Sequence, residues 1–118
     1  MTWSQPRKTK YNNAPQIWNG DRYDSKREMF YAMWLESERQ ASRIKWWRRQ
    51  VPIELVVNDQ KVCKLVVDFL VGFPDGRQEY HEVKSVATKT PIYNLKMKLF
   101  RALHPNITYK IIDYKIIE

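Results

Sequence analysis

An aspartate stands in the middle of an apolar, β-branched run, Leu65-Val66-Val67-Asp68-Phe69-Leu70-Val71. Past the turn residues Pro74-Asp75-Gly76 come Glu82 and Lys84, one residue apart. Two carboxylates and an ammonium on one surface are a set that can hold a divalent cation and assist hydrolysis of a phosphodiester. The pattern of an acid followed two residues later by lysine is weak alone. It occurs four times, at Asp24/Lys26, Asp59/Lys61, Glu82/Lys84 and Asp113/Lys115. Context separates them. The first sits at a helix start and the second in a turn. The last has no hairpin partner carrying an acid. Glu82/Lys84 alone lies on a strand joined by a tight turn to another strand with an acid in its apolar run.

The turn sets the geometry. If Pro74-Asp75-Gly76 is a three-residue loop with Gly76 left-handed, Phe73 faces Arg77 and Asp68 lies opposite Glu82. Directly opposed residues share a face with Cβ atoms ~5 Å apart, and Lys84 shares that face at the next alternate position. A two-residue loop would instead pair Asp68 with His81. Two close carboxylates repel and burial raises a carboxyl pKa, a conflict that a cation removes. Asp68 and Glu82, with the Val83 carbonyl, are the expected ligands of Mg²⁺, with Mn²⁺ able to substitute. Lys84 would position water and stabilise charge on the phosphate. The competing reading is a cross-strand salt bridge on a solvated face. Against it, a central strand is a costly place for an ordinary surface charge.

The elements that must position these residues can be read coarsely. Residues 1–16 form a basic arm, with Arg7, Lys8 and Lys10 between Pro6 and Pro15, and residues 17–118 form a single domain. Asn19-Gly20 marks a short hairpin. Ser25 and Glu28 make a capping box opening a helix, with Phe30, Met33, Trp34, Ser37, Ala41 and Ile44 on its apolar face. That helix is expected to end near Ile44. Strands follow at Ile53–Val57, Val62–Phe73 and Gln78–Val86, with a turn at Asn58-Asp59. Thr90-Pro91 starts a second helix with an apolar face of Ile92, Leu95, Leu99, Ala102 and Leu103, flanked by Tyr93 and Lys96, and ending before Pro105. Ile107–Ile117 is a last strand. Helix, three strands, helix, strand is the order of an α/β layer with helices packed on a mixed sheet.

Composition narrows the partner. The formal net charge is +8, from 21 Lys+Arg against 13 Asp+Glu. That balance favours a polyanion, nucleic acid first. The single cysteine, Cys63, rules out an internal disulfide and reads as a structural thiol. No secretory leader and no apolar stretch of spanning length are visible, so an intracellular, cytoplasmic protein without a membrane partner is expected. His81 and His104 are too few and too far apart for a zinc site.

Several pieces together carry a resemblance: Tyr-Asp-Ser-Lys-x-Glu at Tyr23–Glu28, Gln50, Val-Asp-Phe at Val67–Phe69, Glu-Val-Lys at Glu82–Lys84, and Thr-Pro-x-Tyr-x-x-Lys at Thr90–Lys96. In order and spacing the chain resembles small phage-encoded endonuclease-like proteins of the PD-(D/E)xK superfamily, over about residues 11–112. The resemblance implies a restriction-endonuclease-like fold, a mixed central sheet flanked by helices. It implies Mg²⁺-dependent endodeoxyribonuclease activity, with Glu28 as the acid of the first helix, Asp68 and Glu82 as metal ligands and Lys84 as the catalytic lysine. The family often has Asp where this chain has Glu82. DNA is the implied partner, branched DNA a candidate substrate, and a homodimer a common arrangement.

Each position also has a plainer role. Glu28 closes the capping box, and Gln50 suits a strand entry. Lys89, Lys96, Lys98 and Arg101 are able to reach phosphates, though helix lysines are usually solvated. A non-catalytic nucleic-acid-binding module and a phage inhibitor protein on the same fold are the competing functions.

Overall fold

A computed structural model of the chain describes residues 16–83 and 90–113. The expected basic arm with Arg7, Lys8 and Lys10, the segment holding Lys84 and Lys89, and the end of the expected last strand lie outside the described residues. Two strands, β1 (Gln16–Trp18) and β2 (Asp21–Tyr23), pair antiparallel, so the folded part takes in Gln16. Asn19 and Gly20, with φ 54° and 83°, supply the two left-handed positions that such a tight hairpin needs.

Helix α1 (Lys26–Gln40) is capped by Ser25, whose hydroxyl accepts from the Glu28 amide at 3.2 Å. It stops short of the expected Ile44. The buried face is Tyr31, Ala32 and Leu35, and Glu28 shares that phase at i, i+3, i+4 and i+7. The expected face is wrong: Met33 and Trp34 are 37% and 43% exposed. Apolar side chains occur nearly all round this helix, so periodicity does not choose the face, whereas the sheet does.

Four strands form a mixed sheet in the order β3-β4-β5-β6: β3 (Trp46–Val57), β4 (Gln60–Gly72), β5 (Gln78–Val83) and β6 (Thr108–Ile112). β3, β4 and β5 pair antiparallel, and β5 pairs parallel with β6. β3 starts well before the expected Ile53 and runs through Pro52, which is tolerated because β3 is an edge strand. Between β5 and β6 comes α2 (Pro91–Leu103), with Thr90 as N-cap accepting from the Tyr93 amide at 3.1 Å. Its buried residues are Tyr93, Met97 and Phe100, again a different face from the expected one. Ile92 and Leu95 are each 68% exposed, while Leu99 and Leu103 pack at the core's edge. Tyr93 therefore anchors α2 rather than flanking its apolar face.

Two cores result. Tyr23, Tyr31, Ala32, Leu35, Phe69, Val71 and Val83 gather under α1. Leu55, Leu65, Val67, Tyr93, Met97, Phe100 and Tyr109 gather under α2. Val67 and Phe69 are two apart on β4 and would share a face of a flat strand, yet they belong to different cores. The β3–β4 ribbon changes hands between them, where Asp68 sits. Opposite that point the ladder pairs Arg49 with Phe69 and Val51 with Val67, and Gln50 between them has φ 54°. A left-handed residue inside a strand adds twist, and such a non-glycine conformation costs about 1 kcal/mol. At the sheet's far end, Gly72 lies opposite Trp46, and a Cβ there would overlap the indole.

Candidate carboxylate site

The β4–β5 turn takes the three-residue form. The Phe73 amide donates to the Arg77 carbonyl at 2.8 Å, the Gly76 amide donates to the Phe73 carbonyl at 2.9 Å, and Gly76 has φ 93°. The ladder pairs Gly72 with Gln78, Val71 with Glu79, Leu70 with Tyr80 and Phe69 with His81. His81 thus faces Phe69, and the same count carried one step on sets Asp68 beside Glu82.

There the ladder changes character. Asp68 Oδ2 accepts from the Val83 backbone amide at 2.9 Å, a side chain taking the place of a strand carbonyl. Asp68 is half-buried between the two cores. Glu82 is 3% exposed, and its Oε1 accepts from the Tyr109 hydroxyl at 2.8 Å. Burial raises the Tyr109 phenol, and the negative charge of Glu82 raises it further. The Tyr93 phenol is raised too, by burial and then by the nearby Glu82 carboxylate. Tyr109 of β6 therefore holds this carboxylate on the α2 side, with Tyr93 of α2 close to it.

Glu28 approaches from the other side. Its carboxyl is pushed up to about 7, first by burial, then by the charges of Asp68 and Asp24, with Arg49 pulling it down and Glu82 adding to the rise. Among the described residues no hydrogen bond joins this carboxylate back to Ser25, so only the hydroxyl half of the capping box forms. The cap therefore accounts for Ser25 and leaves the Glu28 carboxylate to another role. Arg49 lies over the Tyr23 ring, 4.0 Å from its centroid, and its Nη2 donates to the Arg22 carbonyl at 2.8 Å.

Of the residues expected to act, Glu28, Asp68 and Glu82 are thus electrostatically coupled, with Val83 tied to Asp68. Among the described residues no three His, Cys, Asp or Glu side chains already form a metal-holding group. Gln50 is exposed and lies across the ladder from Asp68. Lys96 donates to the Lys64 carbonyl at 2.9 Å, a bond that ties α2 to β4 and gives this lysine a structural role.

Sequence reasoning missed Tyr109 and the contacts that Tyr93 and Arg49 make, because their partners are distant in sequence. It also missed a second buried group. His81 Nδ1 lies 2.7 Å from the Tyr31 hydroxyl, and His81 Nε2 lies 2.9 Å from Glu79. Burial holds this imidazole below its ordinary pKa.

Fold and site together define a mixed α/β protein, strongly basic, with interacting carboxylates where its two cores meet. The chain belongs to the family described as "Protein of unknown function (DUF1064)", which it matches over residues 8–116. No curated protein and no solved structure matches it. Among the described residues no helix is long and apolar enough to cross a membrane.

Proposed function

We propose that this protein is a metal-dependent DNA endonuclease of the PD-(D/E)xK type, with a restriction-endonuclease-like core. The observation that carries the reading is Asp68, set beside Glu82 by the β4–β5 register and tied to the Val83 amide, with Glu28 in phase with the buried face of α1, in a chain of net charge +8. Three carboxylates are an expensive thing to gather without a purpose, since each raises the cost of ionising the next. A basic protein that concentrates acid at one point has a surface for a polyanion and a centre for a cation.

The donor chemistry fits a hard divalent ion such as Mg²⁺ or Mn²⁺, which prefers carboxylate and carbonyl oxygens. Asp68, Glu82 and the Val83 carbonyl would hold it, with Glu28 adjacent. Bound there, the ion would supply an acidified water and neutralise charge on the phosphate. The chain's own groups do the rest. Glu28, pushed up to about 7, is able to exchange a proton with water near neutral pH. The Asp68 carboxylate is oriented by the Val83 amide. Lys84, two residues beyond Glu82, would bring a positive charge to the scissile phosphate. Gln50 and the arm residues Arg7, Lys8 and Lys10 would hold the DNA, with Lys89 and Lys96 helping. A homodimer would bring one site to each strand.

A second reading has an observation of its own. Glu82 is turned into Tyr93 and Tyr109. That arrangement suits a DNA-binding module that keeps the fold without cutting.

The test is a cleavage assay with wild type and Asp68→Asn on linear, supercoiled and branched DNA, in Mg²⁺, Mn²⁺ and EDTA. Metal-dependent cleavage by the wild type is expected, with a loss of about 10³-fold or more in the variant and DNA binding retained. Cleavage of no substrate, or equal cleavage by the variant, sinks the nuclease reading and favours the module.

A further inference from the structure

We propose that Arg49 is a phosphate-binding residue of this site, gripping a phosphodiester of the DNA beside Glu28 and Asp68. β3 carries it there: Arg49 pairs with Phe69, the neighbour of Asp68. The guanidinium lies on the Tyr23 ring at 4.0 Å, and Nη2 is tied to the Arg22 carbonyl at 2.8 Å. Ring and carbonyl together set its plane before any ligand arrives, so little further freedom is lost on binding.

The remaining donors are what point to a ligand. Arg49 Nε is buried and has no hydrogen-bond acceptor among the described residues. Buried donors are nearly always satisfied, and an exception asks for an explanation. Among the described residues no carboxylate lies within ion-pair distance of Arg49 either, whereas Arg39 and Arg43 each have one and Arg77 has two. A guanidinium presents its N–H groups as a planar fork that matches two oxygens of a phosphate. The charge of Arg49 nevertheless reaches Glu28.

That placement has a physical use. A cluster of carboxylates repels the phosphodiester on which it must act. A fixed cation beside the cluster, with a donor still lacking an acceptor, offsets the repulsion and sets the phosphate's position. The inference rests on the carboxylate cluster being a phosphodiester site, so binding is measured apart from cleavage.

The experiment titrates a short fluorescent DNA duplex with the full chain in EDTA, by anisotropy, across a range of salt concentrations. Wild type, Arg49→Gln and Arg49→Lys are compared, with near-UV circular dichroism to establish folding. For Arg49→Gln the slope of log K against log salt should be shallower by about 0.9, the value for one lost phosphate contact. Its affinity should fall about tenfold at moderate salt. Arg49→Lys should keep the slope and lose affinity, because the charge stays and the fork goes. An unchanged slope in folded Arg49→Gln overturns the proposal, as does a wild type that binds no DNA. If Arg49→Gln does not fold, Arg49→Lys decides: weaker binding at unchanged slope supports the contact, and wild-type affinity overturns it. A lost slope with no cleavage in any metal keeps the phosphate contact and removes the nuclease. An unchanged slope with cleavage intact does the reverse.

Discussion

Glu79 and Glu28 serve the same side of the sheet and are treated in opposite ways. Glu79 is buried on β5 amid donors: the imidazole His81 Nε2 at 2.9 Å and the cations Lys110 Nζ at 3.2 Å and Arg77 Nη1 at 3.2 Å. Burial alone would raise its pKa, but the hydrogen bonds from His81 and Lys110 outweigh that and hold it below the ordinary carboxylate range. Glu28 has burial without such donors among the described residues, and the charges that act on it most are those of Asp68 and Asp24. A buried acid surrounded by donors ties elements together, here β5 to α1 through His81 and Tyr31. A buried acid facing acids costs stability and is retained for what it can bind or transfer.

The largest test of that contrast removes Glu79. Glu79→Ala should lower stability by about 3 kcal/mol, since it strips a buried acceptor from His81 and from two cations. Urea denaturation at neutral pH reads this directly. In wild type the Glu79 contribution is present above the ordinary carboxyl range and fades as pH falls through the lowered native pKa. A loss under half that size would mean that the network is solvated and that the two glutamates differ less than their surroundings imply.

Glu28 should behave with the opposite sign. Its native pKa, about 7, lies above the ordinary 4.5. The folded state therefore binds more protons between those values, and wild-type stability falls as pH rises through that window. Glu28→Gln should be more stable than wild type at pH 8 by on the order of 2 kcal/mol, after discounting for solvent screening. The gain should vanish near pH 4, where both forms are neutral. Mg²⁺ should narrow the difference at pH 8 by stabilising the wild type. Thermal melts across pH, with and without Mg²⁺, check both points, and a pH-independent gap would show that Glu28 does not titrate in this window.

Glu82 falls between the two, an acid of the candidate site that has a phenol donor. Tyr109→Phe deletes the donor at 2.8 Å and should cost about 1 kcal/mol. Measured by equilibrium unfolding, a neutral result would mean that the Tyr109–Glu82 bond adds nothing net to the fold.

Much of this frame was legible in the residues alone. Pro74-Asp75-Gly76 left two loop lengths open, and the structure takes the three-residue one; loop length sets register, so Asp68 falls beside Glu82 by counting. Ser25 and Thr90 announced the two helix starts, because a hydroxyl one step before a helix satisfies an amide that nothing else in the chain reaches. Asn19-Gly20 and Asn58-Asp59 supplied left-handed turns. These signals are local: a few adjacent residues contain both the demand and its answer.

The tertiary structure alone decided the rest. Which face of α1 is buried, and hence that Glu28 points inward with Tyr31, depends on a sheet whose strands come later in the chain. The face of α2 follows Tyr93, Met97 and Phe100 because Leu65, Val67 and Tyr109 form the surface that receives them. Likewise, the Glu82 carboxylate goes to Tyr109, and Arg49 to Tyr23, through contacts 27 and 26 residues apart. Local pattern states which side chains are able to bury or pair, whereas the partner is chosen by packing between distant segments.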